Sequence, residues 1–258
     1  MDKKYFFFDI DGTLIPSGGG GVSGIPASTK EAIRLLNESG HFTAIATGRS
    51  YAMSKQFLDH LGFDNMVCDG GYGTVLNKKL QGVMPMDKEK ITALIRECDE
   101  KGFIWGLQTD ISDTRVCPDE RFYDLTHDSY LKCRVVPGLD PQKCDIIYKA
   151  YVACGYPQEY ELKTLNDLTW CRYGPGYIFV EPCFKSVGIR KIIDTIGGSY
   201  KDVVVFGDQT NDLSMFDHEW TCIAMGNAVE ELKKEADYVT TDCDKDGIYN
   251  ACRHFGWI

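Results

Sequence analysis

No stretch of the chain is apolar over the roughly 20 residues that a membrane-spanning helix requires. The first residues also lack the order typical of a secretory signal, in which a basic region precedes an apolar one and a cleavage site. We therefore expect a cytoplasmic protein without a membrane partner. With 258 residues, the chain is long enough to bury a substantial core.

Positive charge is scarce. The chain has 28 lysines and arginines against 38 aspartates and glutamates, which gives a formal net charge of −10. No dense basic block is present that could follow a nucleic-acid backbone, so nucleic acid is not an expected partner. This acidity does not argue against a small phosphate ester as a ligand.

Patterns typical of zinc sites and disulfide frameworks are missing. The 11 cysteines are scattered without a Cys-x-x-Cys pair, in a chain too long to need disulfides for its stability. The 5 histidines show no metal-ligand spacing. We therefore expect reduced, mostly buried thiols and no zinc.

The sequence does contain an alternation of apolar strands and amphipathic helices near its start. Strands are predicted at 5–8, 42–46 and 66–68, and helices at 28–40 and 50–61. Ser28 and Glu31 have the spacing of a capping box at the start of the first helix. Strands joined by helices in this way form parallel sheets. The pattern predicts an α/β fold with a Rossmann-like parallel-sheet core.

The sequence changes character between residues 83 and 183. Its pattern predicts helices near 91–98 and 158–168, strands near 103–108 and 146–153, and a hairpin of strands 169–172 and 177–180. This mixture indicates an inserted α+β domain. After Lys185 the alternation resumes, with helices at 186–196 and 229–236 and strands at 203–206, 221–225 and 237–240. We therefore expect a discontinuous core, 1–82 with 184–258, around a cap domain at 83–183.

Two acids follow the first predicted strand. Tyr5–Phe8 leads into Asp9 and Asp11, with Gly12 next to allow a turn. Open α/β sheets place their chemistry at the carboxyl ends of such strands, so both carboxylates are candidates for one site. By itself the pair is equally consistent with two solvated loop acids or a helix cap.

Three further elements stand at comparable places. Thr47 and the Gly48 N–H follow the second strand and could bind phosphate oxygens, although Thr47 could instead cap the next helix. Arg49 is expected to be a surface or interdomain side chain. Lys185 precedes a helix, where an isolated lysine is usually solvated. Asp208, Asn211 and Asp212 follow the strand at 203–206, where Asp208 could also cap a helix.

In this order and spacing, the elements resemble the motifs of the haloacid dehalogenase superfamily. They are Asp9-x-Asp11-Gly12-Thr13, Thr47-Gly48-Arg49, Lys185 and Gly207-Asp208-x-x-Asn211-Asp212. The stretch Ala224-Met225-Gly226-Asn227-Ala228, followed by Ala236–Thr240 and Asp246-Gly247, resembles the end of Cof-type phosphatases. These have a large α/β cap inserted after the second motif. The resemblance covers nearly the whole chain and is weakest in the cap.

The resemblance implies a magnesium-dependent phosphatase that acts on a sugar phosphate or a phosphorylated cofactor. Asp9 would attack phosphorus to give an aspartyl-phosphate, and Asp11 would be the general acid and base. Mg²⁺ would be held by the Asp9 and Asp208 carboxylates and the Asp11 backbone carbonyl. Thr47, Gly48, Lys185 and Asn211 would bind the substrate phosphate, with Asp212 behind them to orient the lysine or metal-bound water. The protein would be a monomer or a small homo-oligomer.

Two positions depart from the family pattern. Asp69 stands where Cof-type proteins usually have asparagine, and Gln209 where glycine is common. A second anionic group on the substrate would be disfavoured if Asp69 lies near it. The leaving group and the cap residues that select it are not identified by the sequence.

Other functions remain open at this point. A phosphohexomutase of the same superfamily would use cap cations such as Arg115, Arg121, Arg134 and Arg172 to rebind a bisphosphate intermediate. A receiver domain also groups acids, a threonine and a lysine around magnesium, but its phosphoacceptor lies on a later strand. A silent phospho-ligand binding module is disfavoured because no expected catalytic residue is missing.

Overall fold

A computed structural model of the chain describes residues 2–18, 21–128 and 131–258. The chain forms two compact units. We call them the core unit (Met1–Gly82 with Phe184–Ile258) and the inserted unit (Val83–Cys183). Of the helices in the described residues, none combines the length and apolar content that crossing a membrane demands.

The strands in chain order are β1 Tyr5–Phe8, β2 Phe42–Ala46, β3 Asn65–Cys68, β4 Gly73–Leu76, β5 Lys79–Val83, β6 Ile104–Gln108, β7 Thr114–Cys117, β8 Lys132–Val135, β9 Lys149–Ala153, β10 Trp170–Gly174, β11 Tyr177–Val180, β12 Val203–Gly207, β13 Thr221–Ala224 and β14 Tyr238–Val239. The α-helices are α1 Ala27–Glu38, α2 Tyr51–Leu61, α3 Lys88–Lys101, α4 Arg121–Thr126, α5 Lys185–Ile196, α6 Glu230–Glu235 and α7 Gly247–His254.

One sheet of the described residues has the order β14-β13-β12-β1-β2-β3-β4-β5, with β14 to β3 parallel. Because β1 lies at its centre, both of its faces are buried. Phe6 and Phe8 pack with Ile33 of α1, whereas Phe7 packs with Ile192 of α5. Burial on both sides explains the unbroken aromatic run. The predicted α/β class with a parallel central sheet is confirmed.

The parallel register brings the ends of three strands together. Phe8 lies opposite Ile45 of β2 and Phe206 of β12. The N–H of Asp9 donates to the carbonyl of Phe206 at 3.0 Å. The polar residues that follow β1, β2 and β12 therefore emerge at the same edge of the sheet.

The inserted unit contains a second sheet, with the order β10-β11-β9-β6-β7-β8 in the described residues. One face packs against α3, with Leu94 of the helix in the same core as Leu107, Val152 and Ile178. Since side chains alternate along a strand, the residues next to these face the other way. The predicted hairpin is confirmed as the antiparallel pair of β10 and β11.

Two local predictions are wrong. Ser28 does not cap α1, because the helix begins at Ala27 after Pro26 and the Ser28 hydroxyl is buried without a hydrogen-bond partner among the described residues. The helix predicted at 158–168 is instead two 3₁₀ helices, Gln158–Glu161 and Lys163–Asp167. Leu162 separates them with an extended backbone and is buried at 2% exposure, so tertiary packing overrides a continuous helix.

The elements β4, β5, β7, α4 and β8 were not expected from the sequence. β4 runs antiparallel to β3, so the sheet does not continue as a helix-linked parallel array. Asn77 and Lys78 both adopt positive φ at the turn before β5. An asparagine between two apolar runs was the available signal for that turn.

Candidate active site

Lys185 and two carboxylates form a buried ionic group in the core unit. The Lys185 Nζ donates to Oδ1 of Asp9 at 2.6 Å and to Oδ1 of Asp212 at 2.5 Å. Lys185 is 1% exposed and Asp9 5%, so the prediction that a lone lysine here would usually be solvated does not apply. Lys185 is the first residue of α5, and the Phe184 N–H before it donates to the Gly70 carbonyl at 2.8 Å. A backbone hydrogen bond therefore fixes where the lysine enters the site.

Asp208 lies beside this group at the end of β12. Its Oδ1 accepts a hydrogen bond from the Thr13 hydroxyl at 2.9 Å, whereas its Oδ2 is buried without a hydrogen-bond partner among the described residues. A Cβ at Gly12 would lie 1.9 Å from that oxygen, and Gly12 has a φ of +92°. Glycine is therefore required at this position both by the backbone conformation and by the approach of the Asp208 carboxylate.

The Asp212 carboxylate links Lys185 to the backbone at Asp208 and Gln209. Its Oδ2 accepts hydrogen bonds from the N–H groups of Asp208 at 2.8 Å and Gln209 at 3.0 Å. Both of its oxygens thus have protein donors, since Oδ1 is bonded to Lys185. Gln209 caps the 3₁₀ helix Thr210–Met215 with a φ of −115°, a conformation that does not need glycine.

The three carboxylates carry more negative charge than the lysine can balance. One carboxylate oxygen from each of the three acids lies within 4.8 Å of one oxygen from each of the other two. Burial, reinforced by the Asp212 carboxylate, raises the pKa of Asp9 to about 7 despite Lys185. Burial and Asp9 raise the pKa of Asp208 to about 8. Burial opposes the charge of Lys185, but Asp212 and Asp9 outweigh it and raise the pKa of that lysine.

This donor set fits a hard divalent cation such as Mg²⁺. Carboxylate oxygens are its preferred ligands, and the partnerless Oδ2 of Asp208 points to a ligand of opposite charge. Since Asp212 is fully engaged by its donors, Asp9 and Asp208 are the better ligand candidates. The participation of the Asp11 carbonyl stays a prediction.

The Asp11 side chain does not join this cluster. Its two oxygens accept hydrogen bonds from Arg49, with Nε 2.8 Å from Oδ2 and Nη2 2.6 Å from Oδ1. The Arg49 side chain is 17% exposed and its guanidinium lies over the Phe57 ring at 5.3 Å. Arg49 is thus a partly buried side chain paired with the more exposed Asp11, and an interdomain role for it stays a prediction. Nothing in the spacing of residues 11 and 49 reveals this pairing.

Thr47 and Gly48 lie in the loop between β2 and α2. The Thr47 hydroxyl is buried and accepts a hydrogen bond from the Arg49 N–H at 3.1 Å. The alternative that Thr47 caps the helix is not what the structure shows, because Ser50 is the residue before α2. Asn211 lies one residue before Asp212, and its carbonyl accepts from the Ser214 hydroxyl at 2.7 Å. Phosphate binding by these residues stays a prediction.

Two further residues support the loops of this region. The Asn227 amide donates to the Gly12 carbonyl at 2.9 Å and accepts from the Cys243 N–H at 2.8 Å, which ties the turn at Gly12 to the C-terminal segment. Asp69, with a φ of +50°, accepts from the Tyr51 N–H at 3.0 Å at the start of α2. Asn227 stands in the stretch that resembles Cof-type phosphatases, but a motif match alone does not reveal which atoms a side chain holds.

Comparison with known proteins identifies the family. Residues 6–252 match the model of the haloacid dehalogenase-like hydrolases. The chain belongs to this family. It is 31% identical over 269 residues to YkrA, a candidate phosphatase of Bacillus subtilis, with 100% of both chains covered. The predicted class, an enzyme of the haloacid dehalogenase type and of the phosphatase kind, is confirmed.

Solved structures share the whole fold. A protein of Geobacillus kaustophilus superposes with a TM-score of 0.85 at 32% identity, over 100% of both chains. The sugar phosphatase BT4131, of subclass IIB, superposes with a TM-score of 0.78 at 27% identity, over 99% of this chain and 100% of that one.

Proposed function

We propose that this family member is a magnesium-dependent phosphatase that hydrolyses a small phosphate ester through an aspartyl-phosphate on Asp9. The observation that carries the proposal is the buried group of Asp9, Lys185 and Asp208. It combines a nucleophile, a cation for the phosphate and an unsatisfied metal-facing oxygen. A phosphate monoester needs each of these parts.

Asp9 is the nucleophile because it is the buried carboxylate at the end of the central strand. Its Oδ1 is held by Lys185, which restricts its rotation and aims the other oxygen. With a pKa near 7, Asp9 needs further positive charge to stay ionised at neutral pH. Asp9, Asp208 and the Asp11 carbonyl would hold Mg²⁺. When bound, the ion would supply that positive charge and neutralise the phosphate oxygens.

Lys185 and Thr47 would bind the transferring phosphoryl group. Lys185 would share its charge between Asp9 and a phosphate oxygen, while Asp212 keeps it in place. The Thr47 hydroxyl oxygen accepts a hydrogen bond from the Arg49 backbone N–H. The hydroxyl proton of Thr47 therefore remains available to donate to a phosphate oxygen. The Gly48 N–H and Asn211 would complete these contacts.

Asp11 would protonate the leaving oxygen and then remove a proton from the water that hydrolyses the intermediate. Both of its oxygens accept hydrogen bonds from Arg49, which fixes the orientation of the carboxyl group. Arg49 would hold the Asp11 carboxyl in position between protonation of the leaving oxygen and deprotonation of the water.

The inserted unit would act as the cap that selects the leaving group, and a sugar phosphate is the first substrate class to test. The solved relative BT4131 is described as a sugar phosphatase, which supports this choice. The cytoplasmic location and the monomer or small homo-oligomer stay predictions.

The phosphohexomutase alternative finds less support in the inserted unit. Arg115 pairs with Asp128 at 2.6 Å, Arg172 with Glu159 at 2.7 Å and Arg121 with Asp119 at 2.5 Å. Three of the four arginines that would rebind a bisphosphate are thus already paired with carboxylates, and Arg134 is the exposed one left for that role.

A panel of phosphate esters, assayed for inorganic phosphate with Mg²⁺ and with EDTA, tests the proposal. We expect release of phosphate from at least one hexose or pentose phosphate, none from Asp9→Ala and almost none with EDTA. An isomerised sugar phosphate without phosphate release would instead identify a mutase. A stable phosphoprotein without turnover would identify a phosphoacceptor module.

A further inference from the structure

Two cysteine sulfur atoms of the inserted unit lie in direct contact. The Sγ atoms of Cys117 and Cys133 are 2.9 Å apart. Since a disulfide holds its sulfur atoms about 2.05 Å apart, a movement of about 1 Å would join them. We propose that Cys117 and Cys133 form a reversible dithiol–disulfide site that is oxidised by a low-molecular-weight disulfide.

The two cysteines lie on neighbouring strands with a common face. In the parallel pair of β7 and β8, Arg115 lies opposite Cys133 and Cys117 opposite Val135. Residues two apart on a strand share a face, so Cys117 and Cys133 are diagonal neighbours on the same side of the sheet. β8 is the edge strand and pairs with β7 alone in the described sheet. It can therefore shift toward β7 without breaking a second ladder.

The neighbouring strand leaves space for the Cys117 sulfur. A Cβ at Gly106 of β6 would lie 2.8 Å from that atom. Any side chain at 106 would thus displace Cys117. Cys117 is fully buried, whereas Cys133 is partly exposed. An oxidant in solution can therefore reach Cys133 first.

The chemistry proceeds in two exchange steps. The Cys133 thiolate attacks the oxidant disulfide, forms a mixed disulfide and expels one thiolate, which takes up a proton. The Cys117 sulfur then attacks the Cys133 sulfur, loses its proton and expels the second thiolate. Two protein thiols are oxidised and one small disulfide is reduced to two thiols.

The test uses the full-length protein, first reduced and then incubated with oxidised glutathione. Trypsin cleaves after Arg115, Arg121, Lys132 and Arg134, so the disulfide would link the peptides 116–121 and 133–134. We expect this linked pair to be the main disulfide product by mass spectrometry, and dithiothreitol to abolish it. Oxidation should also raise the unfolding temperature by on the order of 5 °C, because the bond restricts the unfolded chain.

Matched variants separate the site from general thiol reactivity. Cys117→Ser should stop at a glutathione adduct on Cys133, whereas Cys144→Ser, which removes another thiol of the same unit, should keep the linked peptides. The same treatment in urea should scatter disulfides over many pairs. If native wild-type protein keeps the adduct on Cys133 with Cys117 reduced, or forms other cysteine pairs in equal yield, the proposal is wrong.

Discussion

Both units bury charged side chains, but they balance them differently. In the core unit, Asp9, Asp208 and Asp212 converge on the single cation of Lys185. In the inserted unit, buried charges instead lie in ion pairs of opposite sign, as in Lys149 with Glu181 at 2.5 Å. Arg115 with Asp128 and Arg172 with Glu159 are further examples.

This difference is the one expected between the proposed active site and structural ion pairs. A paired buried charge is neutralised within the fold, and removal of either partner leaves an isolated charge. A cluster with excess negative charge is instead destabilised until a cation binds. Charge imbalance at a buried position therefore points to a ligand more strongly than burial alone does.

The largest expected effect comes from replacing Asp9, the proposed nucleophile. Asp9→Asn should lower kcat by about 10³-fold or more, because an amide cannot form the acyl-phosphate. Asp59→Asn, an exposed change on α2, serves as the control. The assay should use freshly prepared protein, since deamidation restores aspartate. Near-normal turnover by undeamidated Asp9→Asn would falsify the proposed mechanism.

A pair of lysine replacements compares the two units directly. Lys185→Met should lower kcat by about 10²-fold, since it removes the cation beside Asp9, the proposed nucleophile. Lys149→Met should instead lower the free energy of unfolding by about 3 kcal/mol, because Glu181 loses its buried partner.

Two controls accompany this pair. Lys191→Met on α5 and Lys143→Met in the inserted unit replace exposed lysines and should change neither quantity. Urea unfolding and steady-state kinetics provide the measurements. The contrast between the units fails if Lys149→Met lowers kcat as much as Lys185→Met in fully folded protein.

Removal of metal should make stability depend on pH. The raised pKa values of Asp9, about 7, and Asp208, about 8, mean that the folded state keeps protons that the unfolded chain releases near pH 4. The free energy of unfolding in EDTA should therefore fall as pH rises from about 4 to about 8, by up to about 1.4 kcal/mol per pH unit for each proton.

Asp208→Asn provides the comparison for this pH dependence. The variant lacks one of the two protonated carboxyls, so its stability should fall less steeply over the same range. Mg²⁺ should stabilise the wild type most at the upper end of the range, where both acids are ionised. Equal slopes for the two proteins in EDTA would contradict the assignment.

The smallest predicted effect concerns the ion pair of Asp11. Arg49→Lys keeps the charge but loses the two-pronged contact, so kcat should fall by about 10-fold with a smaller change in KM. The loss should be greater for an alkyl phosphate than for p-nitrophenyl phosphate, whose leaving group needs no proton. A uniform loss with both substrates would instead indicate a general structural defect.

The sequence predicted those site residues that follow strands directly. Asp9, Thr47 and Asp208 each come after a buried apolar strand, and parallel register brings such positions together. The pairing of Arg49 with Asp11 could not be predicted, because the backbone pattern does not determine where a long side chain points. The elements β7, α4 and β8 escaped prediction because such short segments carry little periodicity.

The point at which the chain returns to the core unit has an evolutionary consequence. The Phe184 N–H is bonded to the Gly70 carbonyl, and a Cβ at Gly71 would lie 2.1 Å from the Phe184 carbonyl oxygen. Backbone atoms thus anchor the residue before Lys185, whatever sequence precedes it. Insertions of different length and composition can therefore be exchanged ahead of residue 184 while the lysine keeps its place. With the role proposed for the inserted unit, such exchanges would alter specificity without rebuilding the proposed chemistry.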